Sequence, residues 1–157
     1  MYKKIMVPLD GSELAECVFP HLETVVKGCH PPAEVIVVQA VEPLSVPYGR
    51  EISQFTSLEQ VKAFETHQKT EAEKYLKNVV ARLKKTGINA RAEVIYGKAG
   101  EALSDYVTKN KVDLVIIATH GRSGISRWVL GSVANRIVHS ARAPVLMVRA
   151  PGCGPGI

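Results

Sequence analysis

Asp10-Gly11-Ser12 follows Pro8 and Leu9 at the end of the first Val- and Ile-rich run of the chain. Ala118-Thr119-His120-Gly121-Arg122-Ser123-Gly124 closes the fourth such run, and Gly131-Ser132 comes ten residues after Gly121, where the next apolar helical pattern begins. Glycine lets backbone approach phosphate oxygens, and a hydroxyl at a helix start adds to free N–H groups at the positive dipole end. Read together, these stretches form a split phosphate cradle that Arg122 closes. The same residues fit two ordinary turns with Ser132 as a plain N-cap, which taken alone is the commoner arrangement. Asp10 is either an N-cap for the first helix or a ligand for ribose hydroxyls or a metal. His120 has no carboxylate partner evident in the sequence and reads as a loop residue rather than a base.

The charge distribution leans the same way. Asp113 is the last acidic residue of the 157, and residues 1–113 hold 15 basic and 15 acidic side chains. The whole net charge of +5 therefore comes from Arg122, Arg127, Arg136, Arg142 and Arg149. This asymmetry favours an anionic partner near the second glycine stretch, although a solvated helix face carrying arginines accounts for it equally well. Nucleic acid is not expected, because no basic run is interleaved with aromatics and no reader motif occurs.

The elements that must hold these residues alternate regularly. Lys3 to Pro8, Glu34 to Val41, Asn89 to Tyr96, Val112 to Ala118 and Pro144 to Arg149 read as strands. Four are near-continuous apolar runs, as parallel strands covered on both faces require. The third interleaves Arg91 and Glu93, which suits a strand near an edge. The first helix, from about Ser12 to Lys27, contains Pro20, which should bend or divide it. The longest helix runs from Leu58 to Lys85, with Glu65–Lys69 and Glu73–Lys77 as i,i+4 pairs and Gly87 as its stop. Shorter helices cover Glu101 to Lys109 and the stripe from Leu130 to Ala141. Residues 42–57 read as a loop and 151–157 as a flexible tail. The order βαβαβαβαβ implies right-handed crossovers and an open parallel sheet of the doubly wound class. Two strand orders remain open, each with a crevice where the winding reverses.

With 46% hydrophobic and 22% charged residues, the composition is that of one globular domain, residues 1–150, followed by the tail. No run approaches the roughly 20 apolar residues of a membrane helix, and Pro8 and Asp10 interrupt any signal-peptide core. A cytoplasmic location without membrane attachment is the expectation. Cys17, Cys29 and Cys153 match no metal-ligand spacing.

From Lys3 through Val148 the arrangement resembles the universal stress protein family. The stretch Ala118 to Ser132 is its most specific part. The ATP-binding branch carries a glycine, two residues, a glycine, nine residues, then glycine with Ser or Thr. This chain matches at Gly121, Gly131 and Ser132 and has Ala118 at the first glycine. The resemblance implies a Rossmann-like α/β fold, an open parallel five-stranded sheet in the order 3-2-1-4-5 with helices on both faces. It also implies ATP as ligand, with Mg or Mn. Pro8, Leu9 and Asp10 match first-strand nucleotide contacts, with the acid on the ribose, and Ala40 matches the residue packed on adenine. Ala118 and Gly121 match the loop under ribose and phosphates, and Gly131, Ser132 and Val133 match the β,γ-phosphate end. An added methyl at Ala118 crowds the site only if that position needs φ > 0.

Three other readings compete with this one. A phosphate-transferring enzyme lacks support, since no Walker A pattern or pyrophosphatase-type Ser-Gly-Gly-x-Asp loop occurs, and hydrolysis should be slow at most. A receiver domain is rejected, because Tyr96-Gly97 and Arg149 stand where an acceptor Asp and a lysine are needed. An interaction module without nucleotide is kept alive by Ala118. In the order 3-2-1-4-5 the last strand is an uncharged apolar edge before Arg149, which predicts a homodimer through that strand.

Overall fold

The computed structural model of the chain describes residues 2–43, 58–119 and 131–149. Five strands, β1 (Lys4–Pro8), β2 (Glu34–Val41), β3 (Ala90–Tyr96), β4 (Leu114–Ala118) and β5 (Val145–Val148), form one all-parallel sheet in the order β3-β2-β1-β4-β5. Helices α1 (Glu13–Glu16), α2 (Phe19–Lys27), α3 (Leu58–Lys85), α4 (Ala99–Lys109) and α5 (Ser132–Ser140) lie between the strands.

Alternation along each strand decides which helices cover which face. Ile5, Val7, Val35, Val37, Leu114 and Ile116 pack with Leu22 of α2 and Leu76, Val79 and Leu83 of α3. Their neighbours Met6, Ile36, Val38, Val115 and Ile117 pack with Leu103 and Val107 of α4 and Ala134 and Ile137 of α5. Both faces are therefore dry, which is why these strands read as unbroken apolar runs. β3 and β5 are the two edges, and β3 is the strand with the interleaved charges.

Several boundaries differ from the sequence expectation for physical reasons. The predicted first helix is divided: α1 stops at Glu16, and Pro20 stands in the first turn of α2, where its missing N–H has no intrahelical acceptor to lose. The fourth strand starts at Leu114, because Asp113 is used as a clamp. Its carboxylate accepts the Lys3 and Lys4 N–H groups at 2.8 and 3.1 Å, and its own N–H donates to the Lys4 carbonyl at 3.0 Å. α4 begins at Ala99, two residues before Glu101, since Glu42 Oε1 accepts the Ala99 N–H at 3.0 Å. Among the described residues the i,i+4 ion pair within α3 is Lys69–Glu73, 3.7 Å apart, rather than Glu65–Lys69 or Glu73–Lys77. Gly87, at φ +83°, ends that helix as expected. Its N–H bonds the Lys84 carbonyl while Ile88 N–H reaches back to Leu83, a Schellman closure. The loop expected at 42–57 falls largely, and the tail at 151–157 wholly, outside the described residues.

Candidate functional site

The order β3-β2-β1-β4-β5 reverses its winding between β1 and β4, so the crevice of the sheet lies beyond the carboxyl ends of these two strands. On the β1 side, Leu9 N–H donates to the Val38 carbonyl at 2.8 Å and carries the sheet one residue past Pro8. Gly11 then takes φ +83°, a left-handed conformation that lets the chain reverse into α1. Asp10 Oδ1 accepts both the Ser12 N–H at 2.9 Å and the Ser12 hydroxyl at 2.6 Å, a side-chain-closed turn. Ser12 Oγ in turn accepts the Ala15 N–H at 3.2 Å. The N-cap of the first helix is thus Ser12, and Asp10 is the residue that orients it.

On the β4 side, Thr119 N–H donates to the Val148 carbonyl at 2.8 Å, and Gly131 N–H donates to the Thr119 carbonyl at 2.9 Å. The start of α5 is thereby tied to the end of β4. Gly131 itself is the N-cap residue, so Ser132 opens the helix rather than capping it. Intrahelical bonding begins with Asn135 N–H on the Gly131 carbonyl at 2.8 Å. The N–H groups of Ser132, Val133 and Ala134 precede that bond and sit at the positive end of the helix dipole.

A cavity of about 280 Å³ opens between these two ends. Pro8, Leu9 and Asp10 line it from β1, Ala40 from β2, Ala118 from β4, and Gly131, Ser132 and Val133 from the start of α5. Gly121, Arg122 and His120 lie outside the described residues. Sequence reasoning missed six further lining residues. Ile117 and Thr119 flank Ala118 and were within reach of the strand-end rule. Ala15, Ala134, Ala99 and Leu103 come from helix starts whose approach is set by packing alone. The described wall is mostly apolar and small, with one carboxylate and the N-terminal turns of α1, α4 and α5. Such a combination fits a flat apolar group joined to hydroxyls and an anion.

Ala118 belongs to β4 and its side chain is buried in the core cluster with Ile116 and Val148. Among the described residues the non-glycine with positive φ is Lys111, so the alanine causes no backbone strain.

Behind the Asp10 turn, Glu16 at the end of α1 receives two bonds from α3, one from Tyr75 and one from Arg82. Burial, then the bond to Glu16 and its charge, push the Tyr75 hydroxyl above the ordinary tyrosine value, and the Asp10 charge adds to the effect. Among the described residues no group of three or more His, Cys, Asp or Glu side chains is placed to hold a metal ion, and no helix is long and apolar enough to cross a membrane.

The family model of the universal stress proteins matches residues 1–149. This chain is a member of the universal stress protein family. Universal stress protein MJ0531 of Methanocaldococcus jannaschii is 30% identical over 154 residues, covering 96% of this chain and 84% of that protein. The solved structure of MJ0577 from the same organism is 25% identical, with a TM-score of 0.77 over 97% of this chain and 99% of that one. The universal stress protein from Archaeoglobus fulgidus, solved in complex with dAMP, superimposes with a TM-score of 0.60 at 21% identity, over 93% of this chain and 97% of its own. The parallel sheet in the order 3-2-1-4-5 is the fold of these universal stress proteins.

Proposed function

We propose that this universal stress protein binds ATP in the cavity beyond β1 and β4 and acts as a nucleotide-dependent stress-response or regulatory factor. One observation carries the reading: the eight described positions that the family resemblance assigns to nucleotide contact line a single cavity. Asp10 takes the ribose hydroxyls, Pro8 and Leu9 flank it, and Ala40 packs on adenine. Ala118 runs under the ribose and phosphates, a role the family resemblance gives to Gly121 as well. Gly131, Ser132 and Val133 receive the β- and γ-phosphates at the α5 N-terminus, and the sequence offers Arg122 as a cation for them. The dAMP held by the Archaeoglobus fulgidus relative supports an adenine nucleotide as the class of ligand. Mg or Mn would arrive on the phosphates, since the described protein groups offer Asp10 but no ligand cluster of their own. Turnover should be slow at most, because the sequence has no Walker A lysine and no acidic residue after Asp113 to position a water.

Identifying the nucleotide that co-purifies with the protein, followed by isothermal titration of ATP, tests the reading. Bound adenine nucleotide and saturable ATP binding are expected. A chain that takes up none would instead be an interaction module. Timed phosphate release separates a binding protein from a hydrolase.

The same proposal includes a single working domain over residues 1–150, residence in the cytoplasm and a homodimer through β5. The last rests on the edge position of β5, whose Met147 is 44% exposed.

A further inference from the structure

Both oxygens of the Glu16 carboxylate are occupied by α3. The Tyr75 hydroxyl donates to Oε1 at 2.9 Å, and Arg82 Nη2 donates to Oε2 at 2.7 Å. Tyr75 and Arg82 are seven residues apart, two helical turns, and so share one face of α3. The Arg82 guanidinium also stands over the Phe19 ring, 5.6 Å from its centroid, at the start of α2. The fork therefore grips the chain where α1 passes into α2.

α1 is only four residues long. A single turn has little stability of its own, so its orientation depends on what holds its ends. Its N-terminal end is Ser12, bonded twice to Asp10; its C-terminal end is Glu16. Between them Ala15 lines the cavity. An unbroken path thus runs from α3 through Glu16 and α1 to Asp10, although neither Tyr75 nor Arg82 touches the cavity.

We propose that Tyr75 and Arg82 are positioning residues that, through Glu16, set the direction of the Asp10 carboxylate toward the ribose hydroxyls. The inference rests on the nucleotide reading above and adds the residues that control its ribose contact. Tyr75 carries more of the effect than Arg82, whose side chain is 56% exposed and whose ion pair is weakened by solvent.

The test compares ATP with 2′,3′-dideoxy-ATP, which lacks the hydroxyls Asp10 would meet. Isothermal titration is run on the wild type, on Tyr75→Phe, on Tyr75→Phe with Arg82→Met, and on Arg82→Lys as the conservative control. The wild type should prefer ATP. In the double variant that preference should fall about fivefold, the worth of one hydrogen bond, while dideoxy-ATP affinity stays within about twofold. Arg82→Lys should keep most of the preference. If ATP and dideoxy-ATP weaken together, or neither changes, the positioning role is overturned. A wild type that binds both analogues equally also overturns it but leaves nucleotide binding intact. A wild type that binds neither removes the nucleotide reading and this inference with it. Amide hydrogen exchange of the ligand-free protein gives an independent arm. Residues 11–17 should exchange faster in Tyr75→Phe while β4 is unaffected, and unchanged protection there would refute the anchoring.

Discussion

Under the proposed ATP reading Ala118 takes the place of the first motif glycine, and its methyl packs in the core. Replacing it with glycine should leave ATP affinity within about twofold. The same change should cost stability, about 1–2 kcal/mol from chain entropy and the lost methyl together, measured by urea denaturation. Gly131→Asp acts the other way. A carboxylate at the start of α5 would repel phosphate and displace one charge-assisted contact, so ATP affinity should fall at least about tenfold by titration. Unchanged affinity would mean that the phosphates lie elsewhere. These positions were legible because one ends a strand and the other caps a helix. Ala99 and Leu103 were not, because only tertiary packing brings the start of α4 to the cavity. Glu16 was equally silent, since its partners Tyr75 and Arg82 lie 59 and 66 residues away.

Strand β3 is fastened to its neighbours by a polar cluster. Arg91 bonds Glu34 of β2 at 2.8 Å and Glu93 on its own strand, and the Tyr106 hydroxyl of α4 donates to Glu93 at 2.6 Å. Burial opposes ionisation of Glu93, but the bonds from Tyr106 and Arg91 outweigh it and hold its carboxyl below the usual value. A lowered folded-state pKa means the contribution is present above the ordinary carboxylate range and is lost as pH falls through the lowered value. Wild type should therefore be more stable than Glu93→Gln at neutral pH, with the difference closing in acid. Burial, then the Glu93 bond, push Tyr106 up to about 12. Its contribution should be complete below the ordinary tyrosine value and vanish as pH rises through about 12, a limb that Tyr106→Phe should lack. Denaturation midpoints across pH check both. At the helix ends, Ser12→Ala removes the α1 cap and should cost about 1 kcal/mol by the same method. Element types and order were readable from apolar period and from Gly and Pro. The ends that moved, at Ala99 and Leu114, are set by Glu42 and Asp113, whose partners are distant in sequence.

The sheet has two unlike edges. The carbonyls of Pro144 and Val148 accept from Val115 of β4 and from Thr119 just past its end, so by alternation Val145 and Met147 turn their backbone groups to the open side. Met147→Pro therefore removes a donor from the free edge without taking one from the β4 ladder. If β5 pairs with its own copy, wild type should run as a dimer by light scattering at micromolar concentration, and Met147→Pro as a folded monomer by circular dichroism. A monomeric wild type would refute the pairing. The opposite edge, β3, carries Arg91 and Glu93, charges that discourage a second sheet from docking. In the language of polymer chemistry, a chain that pairs through β5 would be a monofunctional monomer. One end can react and the other is capped, so edge-to-edge growth terminates after a single coupling, and a fibre has no second end from which to extend.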